Sequence, residues 1–205
     1  MKDIKILCVG KIKEKYFREG IEYYVRQIKK KYPVEVVECA DEATPDKASE
    51  TEELQIKDKE GRKLLQKIKE EDYVIALCID GVHNSSLRWR ERMQKRARLV
   101  SGSMVFVIGG SLGLSDAVVR RANEKLSFSA MTFPHQMMRM ILCEQIAGVF
   151  AEWEAAGEGG IGRGSGDSVH LTGTAFYSQL KGEKEYKIKE TTGRQGQKWM
   201  ETAGK

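Results

Sequence analysis

Three stretches of this chain bring together residue types that chemistry uses, and each lies where a buried strand gives way to a loop. Met104-Val-Phe-Val-Ile108 runs directly into Gly109-Gly-Ser-Leu-Gly-Leu114. Glycines there let a ligand approach the backbone closely and meet its N–H and C=O groups. Tyr73 to Ile79, with Leu77 near its end, is closed by Asp80-Gly81. Leu126 to Phe133 leads into Pro134-His135-Gln136 and, one turn later, Arg139. That order sets an imidazole and a guanidinium in the first turns of an otherwise apolar helix. Ligands of parallel α/β sheets bind at the carboxyl ends of strands, so Leu77–Gly81, Gly109–Leu114 and Phe128–His135 form the candidate site. Taken alone, the glycine loop equally fits a tight strand-to-helix turn, since it is neither GxGxxG nor followed by a P-loop Lys-Ser/Thr. His135 as a cap group and Arg139 as half of an ion pair are the structural readings of those two residues. Met137, Met138, Met140, Ile141 and Leu142 read as core or subunit-interface packing.

Two basic clusters are candidate nucleic-acid contacts. Arg88, Arg90, Arg92, Lys95, Arg96 and Arg98 surround Trp89 in one helical segment, a combination that can grip phosphate and stack a base. Lys11, Lys13 and Lys15 follow the first strand. A solvated face explains either cluster equally simply. The formal net charge is +5. Residues 151–205 hold eight basic and eight acidic residues, so the excess belongs to the first 150, which carry 27 against 22. This mild excess is compatible with an RNA partner without demanding one.

The elements that must position these residues follow from periodicity. Ile4 to Val9, Val34 to Cys39, Tyr73 to Ile79, Met104 to Ile108 and Leu126 to Phe133 read as strands. Tyr16, Phe17, Ile21, Tyr24, Val25 and Ile28 recur at helical spacing and predict an amphipathic helix of about 16–18 residues. Leu54, Leu64, Leu65 and Ile68 mark a second, charged helix. Ser85 or Ser86 caps a third, through about Leu99, and Ser115 a fourth, through about Lys125. Pro134 opens a fifth, running from His135 to about Phe150. Strands written as apolar runs between helices predict an α/β fold, with a mostly parallel sheet covered by helices on both faces.

After Trp153 the composition changes, with six glycines in 157–166 and a polar remainder. We expect a folded domain over 1–153, then a Gly-rich linker and a disordered tail over 154–205. No apolar run approaches the roughly 18–20 residues that span a bilayer, and the N-terminus does not read as a signal peptide, so a cytoplasmic protein without a membrane role is expected. Cys8, Cys39, Cys78 and Cys143 have no CxxC spacing and His83, His135 and His170 are scattered, so no metal site is expected.

The segments Ile6-Leu-Cys-Val-Gly-Lys-Ile-Lys-Glu-Lys-Tyr16, Lys59-Glu-Gly61, Val107-Ile-Gly-Gly-Ser-Leu-Gly-Leu114, Leu126-Ser-Phe-Ser-Ala-Met-Thr-Phe-Pro-His-Gln136 and Glu144-Gln145 closely resemble the bacterial 23S rRNA pseudouridine N3-methyltransferases of the SPOUT superfamily, over residues 1 to about 146. The resemblance implies an α/β fold with a C-terminal trefoil knot, an exception to unknotted topology. It implies a homodimer packed through the knot region, S-adenosylmethionine as cofactor, and a pseudouridine of 23S rRNA in the ribosome as substrate. Carried over by motif, the cofactor residues are Leu77, Gly109, Gly110, Phe128, Ser129, Ala130, Met131, Thr132 and Phe133. Arg139, as a cation stabilising an ionised base, and His135, as a proton-handling group, are the catalytic candidates.

The chain departs from the family after Glu144-Gln145-Ile146. Where the family continues Tyr-Arg-Ala-Phe and ends in Gly-Glu-x-Tyr-His-Lys, this sequence reads Ala147-Gly-Val-Phe150 and then the glycine-rich stretch. The departure leads us to expect a last helix shortened near Gly148, a weakened dimer, and impaired rRNA methylation with cofactor binding intact. Two other readings compete: a non-catalytic RNA- or ribosome-binding module, and a nucleotide-binding α/β oxidoreductase.

Overall fold

The computed structural model describes residues 1–155. Within them, strands β1 (Ile4–Val9), β2 (Val34–Cys39), β3 (Tyr73–His83), β4 (Met104–Ile108) and β5 (Glu124–Ser127) alternate with helices α1 (Lys15–Lys29), α2 (Glu50–Leu65), α3 (Ser86–Leu99), α4 (Asp116–Arg121) and α5 (His135–Ala155). The strands form one sheet in the order β2-β1-β4-β3-β5, and every pairing is parallel. The expected α/β architecture is therefore present. The stretch 156–205, and with it most of the expected linker and tail, lies outside the described residues.

Both faces of the sheet are covered, which explains why the strands are apolar at consecutive positions. Ile4, Ile6 and Cys8 of β1 join Phe17, Ile21, Trp89, Met93 and Leu142 on the face of α1, α3 and α5. Leu7 and Val9 join Leu64 and Val118 on the face of α2 and α4. Each large side chain so buried contributes about 1.5–3 kcal/mol. Helix starts are set locally: Ser49 and Glu52 form a reciprocal capping box on α2, and Ser85 and Ser115 accept from the amides of Arg88 and Val118. Among the described residues no helix is long and apolar enough to cross a membrane.

Four boundaries differ from those the pattern predicts, each through tertiary contact. β3 does not stop at Ile79 but continues to His83 beyond an irregularity, in which Leu77 and Val82 both register with Leu126. Gly81 permits this, because a Cβ there would lie 2.6 Å from the Leu126 carbonyl carbon. α4 ends at Arg121 rather than near Lys125. Asn123 pulls the chain onto β3, its amide donating to the Val74 carbonyl (2.8 Å) and its side-chain oxygen accepting from the Val74 amide (2.8 Å). β5 is thereby earlier than expected, and 128–134 is loop. The Ser127 hydroxyl donates to the Ser129 carbonyl and the Ser129 hydroxyl accepts from the Met131 amide, local turns that replace ladder pairing. Finally, α5 is not shortened near Gly148 but runs to Ala155. A mid-helix glycine costs only about 1 kcal/mol, and the packing of Ile146, Val149 and Phe150 outweighs it.

Candidate functional site

The carboxyl ends of β3, β4 and β5 converge on one cavity of about 370 Å³. Leu77, Cys78 and Ile79 line it from β3, Gly109 to Gly113 from the loop after β4, and Leu126 to Ser129 with Met131, Thr132 and Phe133 from β5 and its loop. His135 and Met138 close it from α5. Of the nine residues carried over by motif, Leu77, Gly109, Gly110, Phe128, Ser129, Met131, Thr132 and Phe133 share this cavity. Ala130 is not among its lining residues.

The glycine loop is both a tight turn and a cavity wall, so its two readings coincide. Gly113 donates to the Gly110 carbonyl (3.1 Å) and has φ +86°, a backbone conformation natural to glycine. A Cβ on Gly109 would stand 2.6 Å from the Gly113 carbonyl carbon. Behind the loop lies Glu60, a residue to which the sequence assigned no role. It is 5% exposed, and a Cβ on Gly110 would be 3.2 Å from its Oε2. Its Oε1 accepts from the Glu42 amide (3.0 Å), and burial pushes its carboxyl above the usual range. Its neighbour Gly61 lets α2 meet the α4 cap, since a Cβ there would be 2.1 Å from Ser115 Oγ. The Lys59-Glu-Gly61 segment thus supports the loop from behind. The sequence signal was a charged residue inside a helical face, which periodicity alone does not separate from a solvated one.

The two catalytic candidates part company. His135 lines the cavity, and burial, followed by the charge of Arg139, holds its pKa below the ordinary value. The shift favours the neutral ring. Arg139 is fully buried and does not face the cavity. Its guanidinium donates to the carbonyls of Val9 and Gly10 (the latter 2.7 Å) and to Glu38 Oε1 (3.0 Å). These contacts tie the end of β1 to the first turns of α5 and hold the guanidinium away from the cavity lining. In this structure Arg139 positions the site rather than reaching into it.

The basic helix α3 is also differently employed than its composition suggests. Trp89 is buried against Phe106 and Phe128, and is not exposed to stack a base. Arg92 pairs with Glu124 (2.7 Å) and Asn84 (2.9 Å), and Arg96 lies over the Tyr73 ring. The four cysteines are free. Burial pushes the Cys8 thiol up to about 12 and raises those of Cys39, Cys78 and Cys143, which suits inert packing groups.

Residues 1–150 match the family model described as predicted SPOUT methyltransferase. Three curated relatives carry the name ribosomal RNA large subunit methyltransferase H. That of Bacillus pumilus (strain SAFR-032) is 48% identical over 148 residues, 72% of this chain and 93% of the relative. That of Clostridioides difficile (strain 630) is 52% identical over 144 residues, 70% of this chain and 91% of the relative. That of Latilactobacillus sakei subsp. sakei (strain 23K) is 45% identical over 148 residues, with shares of 72% and 93%.

Proposed function

Because this chain belongs to the SPOUT methyltransferase family, we propose that it binds S-adenosylmethionine in the cavity at the ends of β3, β4 and β5 and methylates N3 of a pseudouridine in 23S rRNA. The observation that carries this reading is that the three strand ends share one cavity. Its volume falls within the range of about 300–1,000 Å³ usual for small-molecule sites.

The lining suits the cofactor. Leu77, Ile108, Leu112, Leu126 and Phe128 offer an apolar slot for adenine, edged by the open backbone of the glycine loop. Among the described residues no Asp, Glu, Lys or Arg lines the cavity. A sulfonium therefore meets no like charge there, and neutral His135 adds none. The bound cofactor supplies a methyl group already activated by the positive charge on sulfur. The residues of the chain align the acceptor nitrogen with that methyl group, a positioning effect. The Gly109–Gly113 turn and the 128–133 loop fix the two walls between which a base must enter. We assign acceptance of the N3 proton to His135, a reading supported by its position in the cavity lining and by the lowered pKa that favours its neutral form. A dinucleotide reading lacks support, since the loop after β4 does not carry the GxGxxG turn that seats a pyrophosphate.

The proposal includes a homodimer and the C-terminal trefoil knot. The return of α5 across the sheet from edge strand β5, to pack on α1 and α3, supports the second. It also includes slower methylation than in relatives that keep the Tyr-His ending, because the family match stops at residue 150 and no Tyr-His pair follows in the sequence. Calorimetry with S-adenosylmethionine and with NAD, followed by a methylation assay on intact ribosomes, tests the reading. We expect heat with the first ligand alone and methyl transfer to 23S rRNA below the relatives' rate. Heat with NAD, or none with S-adenosylmethionine, would refute the cofactor assignment, and full-rate transfer would refute the impairment.

A further inference from the structure

The loop joining β1 to α1 carries Lys11 and Lys13, and Lys15 opens α1; all three are exposed. Lys15 meets Glu19 at 3.5 Å with its own side chain 87% exposed. Among the described residues Lys11 and Lys13 enter no ion pair.

The backbone on either side of these lysines is held by side chains from other elements. Arg139 holds the carbonyls of Val9 and Gly10. The Ile12 amide donates to Glu38 (3.0 Å), and Arg18 donates to the Ile12 carbonyl (2.9 Å). The amides of Lys13 and Glu14 donate to Gln136 Oε1 at 2.8 and 3.4 Å. This last contact does unusual duty. Glu14, the N-cap residue of α1, provides no side-chain cap, and Gln136 supplies an acceptor from another helix. Gln136 follows His135, which lines the cavity, and Lys13 is close enough to help lower the pKa of that imidazole. The backbone at Lys13 is thus held beside the cavity by the same helical turn that forms part of its wall, and Lys11, two residues earlier, borders the adjoining hollow lined by Arg18, Glu22 and Glu38.

The rim is not uniformly basic. Asp41 lies beside Gly10, and Glu14 stands between the lysines, while the charge of Glu38 is matched by Arg139. Such a surface suits a few point contacts to phosphates rather than a broad electrostatic groove. By contrast, the basic helix α3 spends Arg92 on Glu124 and Arg96 on Tyr73.

Building on the reading that RNA is the substrate, we infer that Lys11 and Lys13 each contact a phosphate of the RNA strand whose base enters the cavity. The β1–α1 loop is then the surface along which that strand runs.

The test is the salt dependence of binding to a fluorescein-labelled large-subunit rRNA hairpin of about 30 nucleotides, between about 50 and 200 mM KCl. Each phosphate contact adds about 0.7–0.9 to the slope of log K against log salt, so the K11Q/K13Q double variant should lose about 1.4–1.8 from it. K11R/K13R should restore the slope. R88Q/K95Q, on α3, should lose less than the loop variant. A wild-type slope in K11Q/K13Q, or no binding of the hairpin by the parent chain, would overturn the inference. Calorimetry of the same proteins with S-adenosylmethionine keeps the two readings apart. An unchanged slope with normal cofactor heat sinks the loop assignment alone, whereas missing cofactor heat counts against the proposed function and leaves the slope to be read as before.

Discussion

The two ends of the sheet are built on opposite plans. At the amino ends of the strands, polar groups are tied to one another. Asp72 accepts from the amides of Lys69 (2.9 Å) and Ser103 (3.0 Å). Arg121 donates to the carbonyls of Lys69, Glu70 and Asp72, and the terminal ammonium to Ala97. At the carboxyl ends, two loops leave backbone and apolar side chains around a cavity, and Met131 is 70% exposed. The end that closes on itself stabilises the fold, and the end left open is available to a ligand. Arg139 belongs to both plans, since it satisfies the end of β1 while standing one turn from His135.

Substitutions can separate the two ends, and the largest effect is expected where the plans overlap. Arg139→Met leaves two backbone carbonyls without their donor and removes one of two donors to Glu38, and each buried acceptor left unpaired costs about 1–3 kcal/mol. Chemical denaturation should show that loss, and cofactor affinity should fall with it. A variant of unchanged stability would mean that Arg139 is not the tie described. Next comes Gly109→Val, whose side chain would meet the Gly113 backbone and fill the cavity wall. Calorimetry should show at least about a hundredfold weaker S-adenosylmethionine binding, about 2.7 kcal/mol, and intact affinity would deny the loop its role.

At the closed end the pattern reverses. Asp72→Ala should cost about 2–3 kcal/mol of stability, because two amides lose their acceptor, and should leave cofactor affinity unchanged. Burial alone would raise the pKa of Asp72, but the amides of Lys69 and Ser103 outweigh it and hold the carboxyl below its ordinary value. Its contribution is then complete above about pH 4 and is lost as pH falls through the folded value. The Asp72→Asn variant should therefore show a flatter decline of stability in acid than the parent, and parallel curves would contradict this. The smallest effect concerns His135. With its folded pKa lowered, its NMR titration midpoint should lie below about 6.5. Cofactor affinity should stay level from pH 8 down to that value and weaken only below it, as the ring gains a charge beside the sulfonium. A midpoint above 6.5 would remove the neutral imidazole from the mechanism.

Legibility in the sequence followed the same division. β4 is readable because it is apolar without interruption, and β1 because only Lys5 breaks its apolar run. The end of β4 is readable because the glycine loop follows it directly, and the start of α5 because Pro134-His135 opens it, whereas Asp80-Gly81 lies inside β3. β5 was misplaced because Glu124 does not look like a strand residue until Arg92 and Tyr73 engage it. The extension of β3 depends on Gly81 meeting Leu126, a contact between segments 45 positions apart. Arg139 shows the same gap, since its partners at Val9 and Gly10 lie 130 and 129 residues away. Glu60 and Gln136 stand in motifs of the family resemblance, but their support of neighbouring loops is a property of the assembled fold.

The central claim is that three strand ends close around one ligand, and amide NMR of the full chain titrated with S-adenosylmethionine tests it most directly. The account predicts saturable shifts at Leu77–Ile79, Gly109–Gly113 and Phe128–Phe133 together, with a common dissociation constant. Shifts confined to one of these segments, or clustered elsewhere on the molecule, would contradict it.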